Sequence, residues 1–289
     1  MKIELNKNNI NVINKKNIDT LIIGSFDGIH KGHYKLFNKA NKYSILLIKN
    51  VPSKTKYIYS WNERIKDINS CLNPQHILYY DLKKQNISAI EFINLYLNKL
   101  NIKKIIVGSD FHFGNDKKDI IFLKKHINSN IKIIVVNRSK NSISTSKIKN
   151  YILNGKIELA NKYLINKYNI ISQVVVGKKI ASNILGCPTA NIKINNKRII
   201  PMPGIYITKT ILNNCEYTSI TFIGKSKTFK SKYVSIETHL NDYHSDNFYG
   251  KKIQIIFFKK IANVKFYKNI NNLKDDIQLY ISKSKKYFN

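Results

Sequence analysis

Apolar residues in the first half of the chain fall in short runs. Leu21–Ile23, Ile45–Ile48, Ile105–Val107 and Ile131–Val136 are strand-length and rich in Ile and Val. The segments after Lys31, around Trp61–Ser70, over Ser88–Leu100 and over Asp116–His126 have the wider apolar spacing of helices. Ser88 with Glu91 three residues later is a capping-box pattern. This alternation predicts an α/β domain built on a parallel sheet, with ligands at the carboxyl ends of its strands.

The pattern changes near Tyr168. Ile170–Val176, Ile205–Ile211, Thr218–Ile223, Val234–Leu240 and Ile253–Lys260 read as strands joined by turn-rich pieces, and no clear helix follows until about Asn272. A small antiparallel β-barrel closed by a C-terminal helix is expected. The join, Ser146 to Lys167, is helical in pattern and lacks a Gly/Ser-rich or Pro-rich linker. The domains are therefore expected to be 1–165 and 166–289. There are no internal repeats.

Composition alters this picture little. Lys plus Arg is 50 against 17 Asp plus Glu, a formal net charge of +33 over 289 residues. That excess suits a nucleic-acid partner. However, the lysines are spread along the chain and accompany heavy Asn and Ile use, as an A+T-rich coding sequence produces. No basic stripe with interleaved aromatics is present, so no specific nucleic acid is expected. Cys71, Cys187 and Cys215 form no close pair, which suits a reducing compartment. The start of the chain, Met1 to Asn11, is polar, and no apolar run reaches membrane-spanning length. The expectation is a cytoplasmic protein with no membrane partner. Nothing fixes its oligomeric state, and a monomer is compatible with the sequence.

The candidate chemistry starts at Gly24-Ser25-Phe26-Asp27-Gly28-Ile29-His30-Lys31-Gly32-His33, between a strand and a helix. Glycines let the backbone approach a phosphate, and amides at a helix start attract anions. Two histidines three apart can point the same way and donate to a phosphate gaining charge in a transition state. They could also be a pair of surface histidines; as a metal pair they lack a third ligand with matching spacing. This string resembles the HxGH signature of nucleotidyltransferases.

Other motifs follow. Val107 to Gly114 ends a strand in a Gly-Asp turn and places Asp110 and Phe111 at the same sheet edge. Ser144, Thr145, Ser146, Lys147 and Lys149 combine hydroxyls and ammonium groups at a helix start, suited either to a plain N-cap or to nucleotide phosphates. Gly186-Cys187-Pro188-Thr189-Ala190-Asn191-Ile192 puts a hydroxyl and an amide oxygen on one strand face, a donor set suited to Mg²⁺ and phosphate oxygens. Glu237, in Ile236-Glu237-Thr238-His239-Leu240, is either an exposed residue or a base for a substrate hydroxyl.

The order of these motifs, from about Thr20 to about Ser282, resembles the bacterial bifunctional riboflavin kinase/FAD synthetase family. The resemblance implies a Rossmann-like nucleotidyltransferase domain followed by a riboflavin kinase-like barrel. Riboflavin would be phosphorylated by ATP to FMN, and FMN adenylylated by a second ATP to FAD and pyrophosphate, with Mg²⁺ as cofactor. It implies that His30 and His33 stabilise the α-phosphoryl group, and that Gly24, Ser25, Phe26, Asp27, Gly28 and the Ser144–Lys149 run bind nucleotide. Asp110 and Phe111 would meet flavin, Gly177, Thr189 and Asn191 would hold nucleotide in the kinase half, Thr189 and Asn191 would also hold Mg²⁺, and Glu237 would be the kinase base.

The chain departs from the family at several places. The threonine- and proline-rich strand end is reduced to Leu46–Pro52, Lys147 and Lys149 replace arginines, and Ala181-Ser182-Asn183 occupies the kinase nucleotide loop. The alternative is an FMN adenylyltransferase with a weakened or inactive kinase module. A pantetheine-phosphate or nicotinate adenylyltransferase would explain the first half and leave the barrel motifs unexplained.

Overall fold

The computed structural model describes residues 2–137, 143–175, 189–225, 234–243 and 249–289. They form two compact units, Met1–Ser144 and Thr145–Asn289.

The first unit is a six-stranded parallel sheet. Its strands are β1 (Lys2–Glu4), β2 (Thr20–Gly24), β3 (Ser44–Lys49), β4 (Ile77–Asp81), β5 (Lys104–Gly108) and β6 (Lys132–Val136), in the order β1-β4-β3-β2-β5-β6. Its helices are α1 (Ile10–Asn14), α2 (Lys31–Phe37), α3 (Trp61–Leu72), α4 (Ala89–Leu95) and α5 (Ile120–His126). The central strands are apolar at nearly every position because both sheet faces are covered. Leu21, Ile23, Leu46, Ile105 and Val107 pack with Phe92 and Ile93 of α4 on one face. Ile22, Ile45, Leu47 and Ile106 pack with Phe37 of α2 and with Ile65 and Ile68 of α3 on the other. Each such fully buried side chain contributes roughly 1.5–3 kcal/mol.

From β2 the chain builds outward through β3 and β4, then returns to place β5 on the other flank of β2. The switch point of the fold therefore lies between the carboxyl ends of β2 and β5, where ligands bind in open α/β sheets.

Two details differ from the sequence pattern. β1 and β4 add strands that the apolar runs did not mark; β1 is a short edge piece paired with β4 in parallel register. Helix α5 begins at Ile120 and not near Asp116. Before it, Phe113 and Lys118 form a bridge, Gly114 and Lys117 take positive φ (76° and 52°), and Asp119 caps the helix by accepting from the Phe122 N–H at 3.0 Å.

The second unit begins with α6 (Thr145–Leu153) and α7 (Ile157–Tyr163). The strands β7 (Asn169–Val175), β8 (Thr189–Ile192), β9 (Gly204–Leu212), β10 (Cys215–Gly224), β11 (Ser235–Leu240) and β12 (Lys252–Ala262) follow, then α8 (Ile270–Phe288). The strands close into an antiparallel barrel in the order β10-β11-β8-β7-β12-β9. The β9–β10 hairpin turns on Asn213 and Asn214, both at positive φ, as a tight primed turn requires. Asn161 of α7 donates to the Phe257 carbonyl and accepts from the Tyr168 N–H, each at 2.8 Å, which ties α7 to the barrel wall. Ser284 of α8 donates to the Ser219 carbonyl at 3.1 Å.

Part of the barrel interior is polar. Thr208, Thr210, Ser219, Thr221 and Thr238 are fully buried. Their hydroxyls form a closed ring of contacts: Thr208–Ser219 2.8 Å, Ser219–Thr210 2.9 Å, Thr210–Thr238 3.3 Å, Thr238–Thr221 3.0 Å and Thr221–Thr208 2.8 Å. A hydroxyl has one proton to give and lone pairs to accept. Thr221 donates to Thr238, and Thr238 lies 3.3 Å from both Thr210 and the Ile220 carbonyl, so every hydroxyl has a partner without water and burying them carries no unpaired-group cost.

Candidate active sites

The Gly24–His33 string runs from the end of β2 into α2, at the switch point of the sheet. Gly24 is glycine for a steric reason: a Cβ there would stand 2.6 Å from Cζ of Phe26. Phe26 itself is buried at φ 37° and packs edge-on against His33, centroids 5.2 Å apart. Gly28 takes φ 77°. Ser25 accepts a short hydrogen bond from the Lys54 ammonium. Asp27 is fully buried; its two oxygens accept from the Ile58 and Tyr59 N–H groups, each at 3.0 Å. Phe26 and Asp27 thus shape the turn from within.

His30 and His33 do point the same way. Their rings stack at 3.6 Å with 19° between planes. His30 is the N-cap of α2, and its Nδ1 accepts from the Gly32 N–H at 3.1 Å. Nδ1 of His33 accepts from the His30 N–H at 3.4 Å. With both Nδ1 atoms acting as acceptors, the neutral rings carry their protons on Nε2. Gly32 permits this close arrangement, since a Cβ there would lie 2.9 Å from the Ile143 carbonyl oxygen and 3.0 Å from the His30 ring.

On the neighbouring strand, Gly108 ends β5 beside the same switch point. Asp110 is exposed, whereas Phe111 is half-buried and stacks on Phe113, centroids 5.4 Å apart. Ser144 closes the first unit, and Thr145 opens α6 in the second. Ser146 and Lys147 are exposed on that helix, and Lys149 is half-buried.

In the barrel, Thr238 and Ala190 face inward. Strand alternation therefore turns Glu237, His239, Thr189 and Asn191 outward. Glu237 pairs in register with Asn191, and His239 with Thr189, so the four side chains form one patch across β11 and β8. Ser235 donates to Oε1 of Glu237 at 2.8 Å and fixes the carboxylate, which is half-buried. Thr189 and Asn191 offer uncharged oxygens beside it. That is too few ligands for an all-protein cage, but it fits Mg²⁺, which keeps waters and substrate phosphates in its shell. Among the described residues no group of three His, Cys, Asp or Glu could hold a metal ion. Gly177, the 181–183 loop and the 186–188 approach to β8 lie outside the described residues.

The sequence patterns did not identify some residues at these sites. His239 is buried in the β8–β11 patch, and no partner for its Nδ1 is present among the described residues. Burial lowers its pKa, Asp242 opposes that, and Lys285 adds to it. At the first site, Arg64 and Asp67 of α3 reach the backbone of the Gly24–His33 turn. At the carboxyl end of β4, Asp81 is buried and holds Lys49 at 2.9 Å and Asn50 at 2.7 Å. Among the described residues no helix is long and apolar enough to cross a membrane.

Comparison with known proteins matches a family model to each half of the chain. The FAD synthetase family model matches residues 13–151, and the riboflavin kinase family model matches residues 164–288. A bifunctional riboflavin kinase/FMN adenylyltransferase of Buchnera aphidicola subsp. Schizaphis graminum is 35% identical over 100% of this chain and 99% of its own length. A trifunctional RibF/MnmA protein of Mycoplasmoides gallisepticum is 37% identical over 96% of this chain, which spans 41% of that longer protein. A crystal structure titled a macrolide-efflux protein from Streptococcus pneumoniae shares the fold, with TM-score 0.81 over 98% of both chains at 24% identity. The chain belongs to the bifunctional riboflavin kinase/FMN adenylyltransferase family, which takes riboflavin through FMN to FAD.

Proposed function

We propose that His30 and His33 carry the adenylyl transfer and that Glu237 carries the phosphorylation. In the first reaction an FMN phosphate oxygen attacks the α-phosphorus of ATP, the bond to the pyrophosphate oxygen breaks, and pyrophosphate leaves. The nucleophile is already an anion, so the site needs no base; positioning and charge stabilisation suffice. The Nε2–H groups of His30 and His33 donate to the α-phosphoryl oxygens as charge builds. Gly24, Ser25, Phe26, Asp27 and Gly28 shape the nucleotide pocket, and Asp110 and Phe111 meet the flavin. Ser144, Thr145, Ser146, Lys147 and Lys149 are a run of hydroxyl and ammonium groups suited to nucleotide phosphates. The observation that carries this reading is the stacked imidazole pair with both Nδ1 atoms taken by backbone amides.

In the second reaction an alcohol must lose its proton. Glu237 takes it from the terminal ribityl hydroxyl of riboflavin; the oxygen then attacks the γ-phosphorus of ATP, and ADP leaves. Thr189 and Asn191 hold Mg²⁺, which when bound neutralises phosphate charge. Gly177, also assigned to the kinase nucleotide, lies outside the described residues. The enzyme acts in the cytoplasm.

The test is the purified protein with riboflavin, ATP and Mg²⁺, products separated by chromatography. FMN and FAD should both form, and withdrawal of Mg²⁺ should stop phosphorylation. FAD appearing only from supplied FMN would point to a weakened kinase module. No flavin turnover from either substrate would overturn the reading.

A further inference from the structure

Helix α3 buries an unusual face. Beside Ile65 and Ile68 it places Glu63, Arg64 and Asp67, each less than 10% exposed. Charged side chains are rarely buried so fully without specific partners. Glu63 accepts from the Ser60 N–H at 2.9 Å and closes the helix start. The other two reach out of the helix to the phosphate turn. Nη1 of Arg64 donates to the Ser25 carbonyl at 3.0 Å and lies 3.5 Å from the Ile48 carbonyl. Oδ2 of Asp67 accepts from the Ile29 N–H at 2.9 Å. The turn answers through Asp27, which accepts from Ile58 and Tyr59 just ahead of α3.

The anchors alternate with the positive-φ positions. Ser25, Asp27 and Ile29 are each held by the 58–67 segment, whereas Phe26 and Gly28 between them sit at φ 37° and 77°. A non-glycine residue at positive φ persists only where its surroundings over-determine it. The last anchor, at Ile29, lies one residue before His30. The His30 backbone N–H and side chain then set both imidazoles.

We propose that α3 is the positioning element of the adenylyl-transfer site, with Asp67 and Arg64 as positioning residues acting through the turn backbone. Asp67 fixes the Gly28–Ile29 amide plane, one residue ahead of His30, and Arg64 fixes the Ser25 carbonyl in the plane that enters Phe26. Neither needs to touch substrate. This rests on the assignment of His30 and His33 as the transition-state donors.

The full-length protein supplies its own control, because the kinase activity resides in the other unit. FAD formation from FMN and ATP, and FMN formation from riboflavin and ATP, are measured for Asp67→Ala, Asp67→Asn and His33→Ala. Asp67→Ala should lower kcat for FAD formation by about tenfold to a hundredfold, the scale of a slight misplacement of catalytic groups. KM for FMN and ATP should change by less than about twofold, since only the transition state loses contacts. Asp67→Asn keeps an oxygen that accepts from Ile29 and should restore most of the rate. Kinase turnover should not change in either variant.

The inference is overturned if His33→Ala slows FAD formation while Asp67→Ala does not. It also falls if Asp67→Ala raises KM and leaves kcat intact, if Asp67→Asn is as slow as Asp67→Ala, or if both activities are lost together. A His33→Ala protein that makes FAD at the wild-type rate would instead sink the histidine assignment itself.

Discussion

At the proposed adenylyl-transfer site the imidazoles of His30 and His33 stand in a turn at the end of β2; at the proposed kinase site the Glu237 carboxylate stands within β11 on the barrel wall. The turn has no ladder to fix it, so its geometry comes from a collar of side chains: Asp27, Arg64, Asp67 and the two histidines' own Nδ1 atoms. The strand needs no collar. Register with β8 sets Glu237 beside Asn191, and Ser235 orients the carboxylate. Behind it, the hydroxyl of Thr238 joins the ring that ties β9, β10 and β11 together. One site is held by charged groups acting on backbone, the other by strand pairing over a neutral polar core.

Removing the reactive group itself should separate the two most sharply. Glu237→Gln should lower FMN formation by about 10²–10⁴-fold, the usual worth of a general base, with FAD formation from supplied FMN intact. His33→Ala should show the reverse: FAD formation down by about 10²-fold or more and FMN formation intact. Chromatography of both products in each variant checks the crossing pattern. Equal losses in both activities would mean that the two sites are not independent.

A smaller change probes the collar without removing a functional group. Gly32→Ala puts a methyl group 2.9 Å from the Ile143 carbonyl and 3.0 Å from the His30 ring. Backbone cannot yield as a flexible side chain can, so the imidazole pair must shift. A loss of about tenfold in FAD formation is expected, measured at saturating FMN and ATP. A wild-type rate would show that the stacked geometry tolerates displacement.

The sequence made the second arrangement easier to read than the first. Alternation along Thr189 to Ile192 already put Thr189 and Asn191 on one face, while Glu237 stayed open between an exposed residue and a base. The apolar runs marked the central strands of the sheet, and the glycine-rich string marked its ligand edge. What stayed hidden depends on partners distant in sequence. Arg64 and Asp67 lie on a helix where periodicity assigns charges to solvent, and only the fold brings them to Ser25 and Ile29. The hydroxyl ring was equally silent, because Thr208, Thr221 and Thr238 read as ordinary strand residues until the barrel closes. β4 contains two tyrosines among its few residues, and β1 is too short to show alternation; β4 is a strand because β3 supplies its edge, and β1 because β4 does.

The ring can be broken where no chemistry occurs. Thr221→Val keeps the shape and removes one hydroxyl, leaving Thr208 and Thr238 each short of a partner. An unsatisfied buried group costs about 1–3 kcal/mol. Kinase activity should therefore be lost at a lower temperature in this variant, with FAD formation from FMN keeping its thermal profile. Coincident inactivation of both activities would show that the two units do not unfold independently.

Acid should act on the sheet unit through Asp81, with the smallest effect of all. Burial alone would raise the pKa of Asp81, but hydrogen bonds from Lys49, Asn50 and the Lys83 N–H outweigh it and hold the carboxyl below its ordinary value of 3.8. A carboxyl depressed on folding stabilises the native state fully above its unfolded pKa, and that contribution fades as pH falls through the folded value. Its partner Lys49 is partly exposed, so the contribution is about 1 kcal/mol or less. Urea midpoints of the first unit should therefore fall between about pH 5 and pH 3. Asp81→Asn should lower the midpoint at the upper pH and flatten the dependence. The threonine and serine ring does not titrate in this range and should add no slope to the barrel. An unchanged slope in Asp81→Asn would move the acid sensitivity to another carboxylate of the sheet edge, and the collar around the phosphate turn is where to look next.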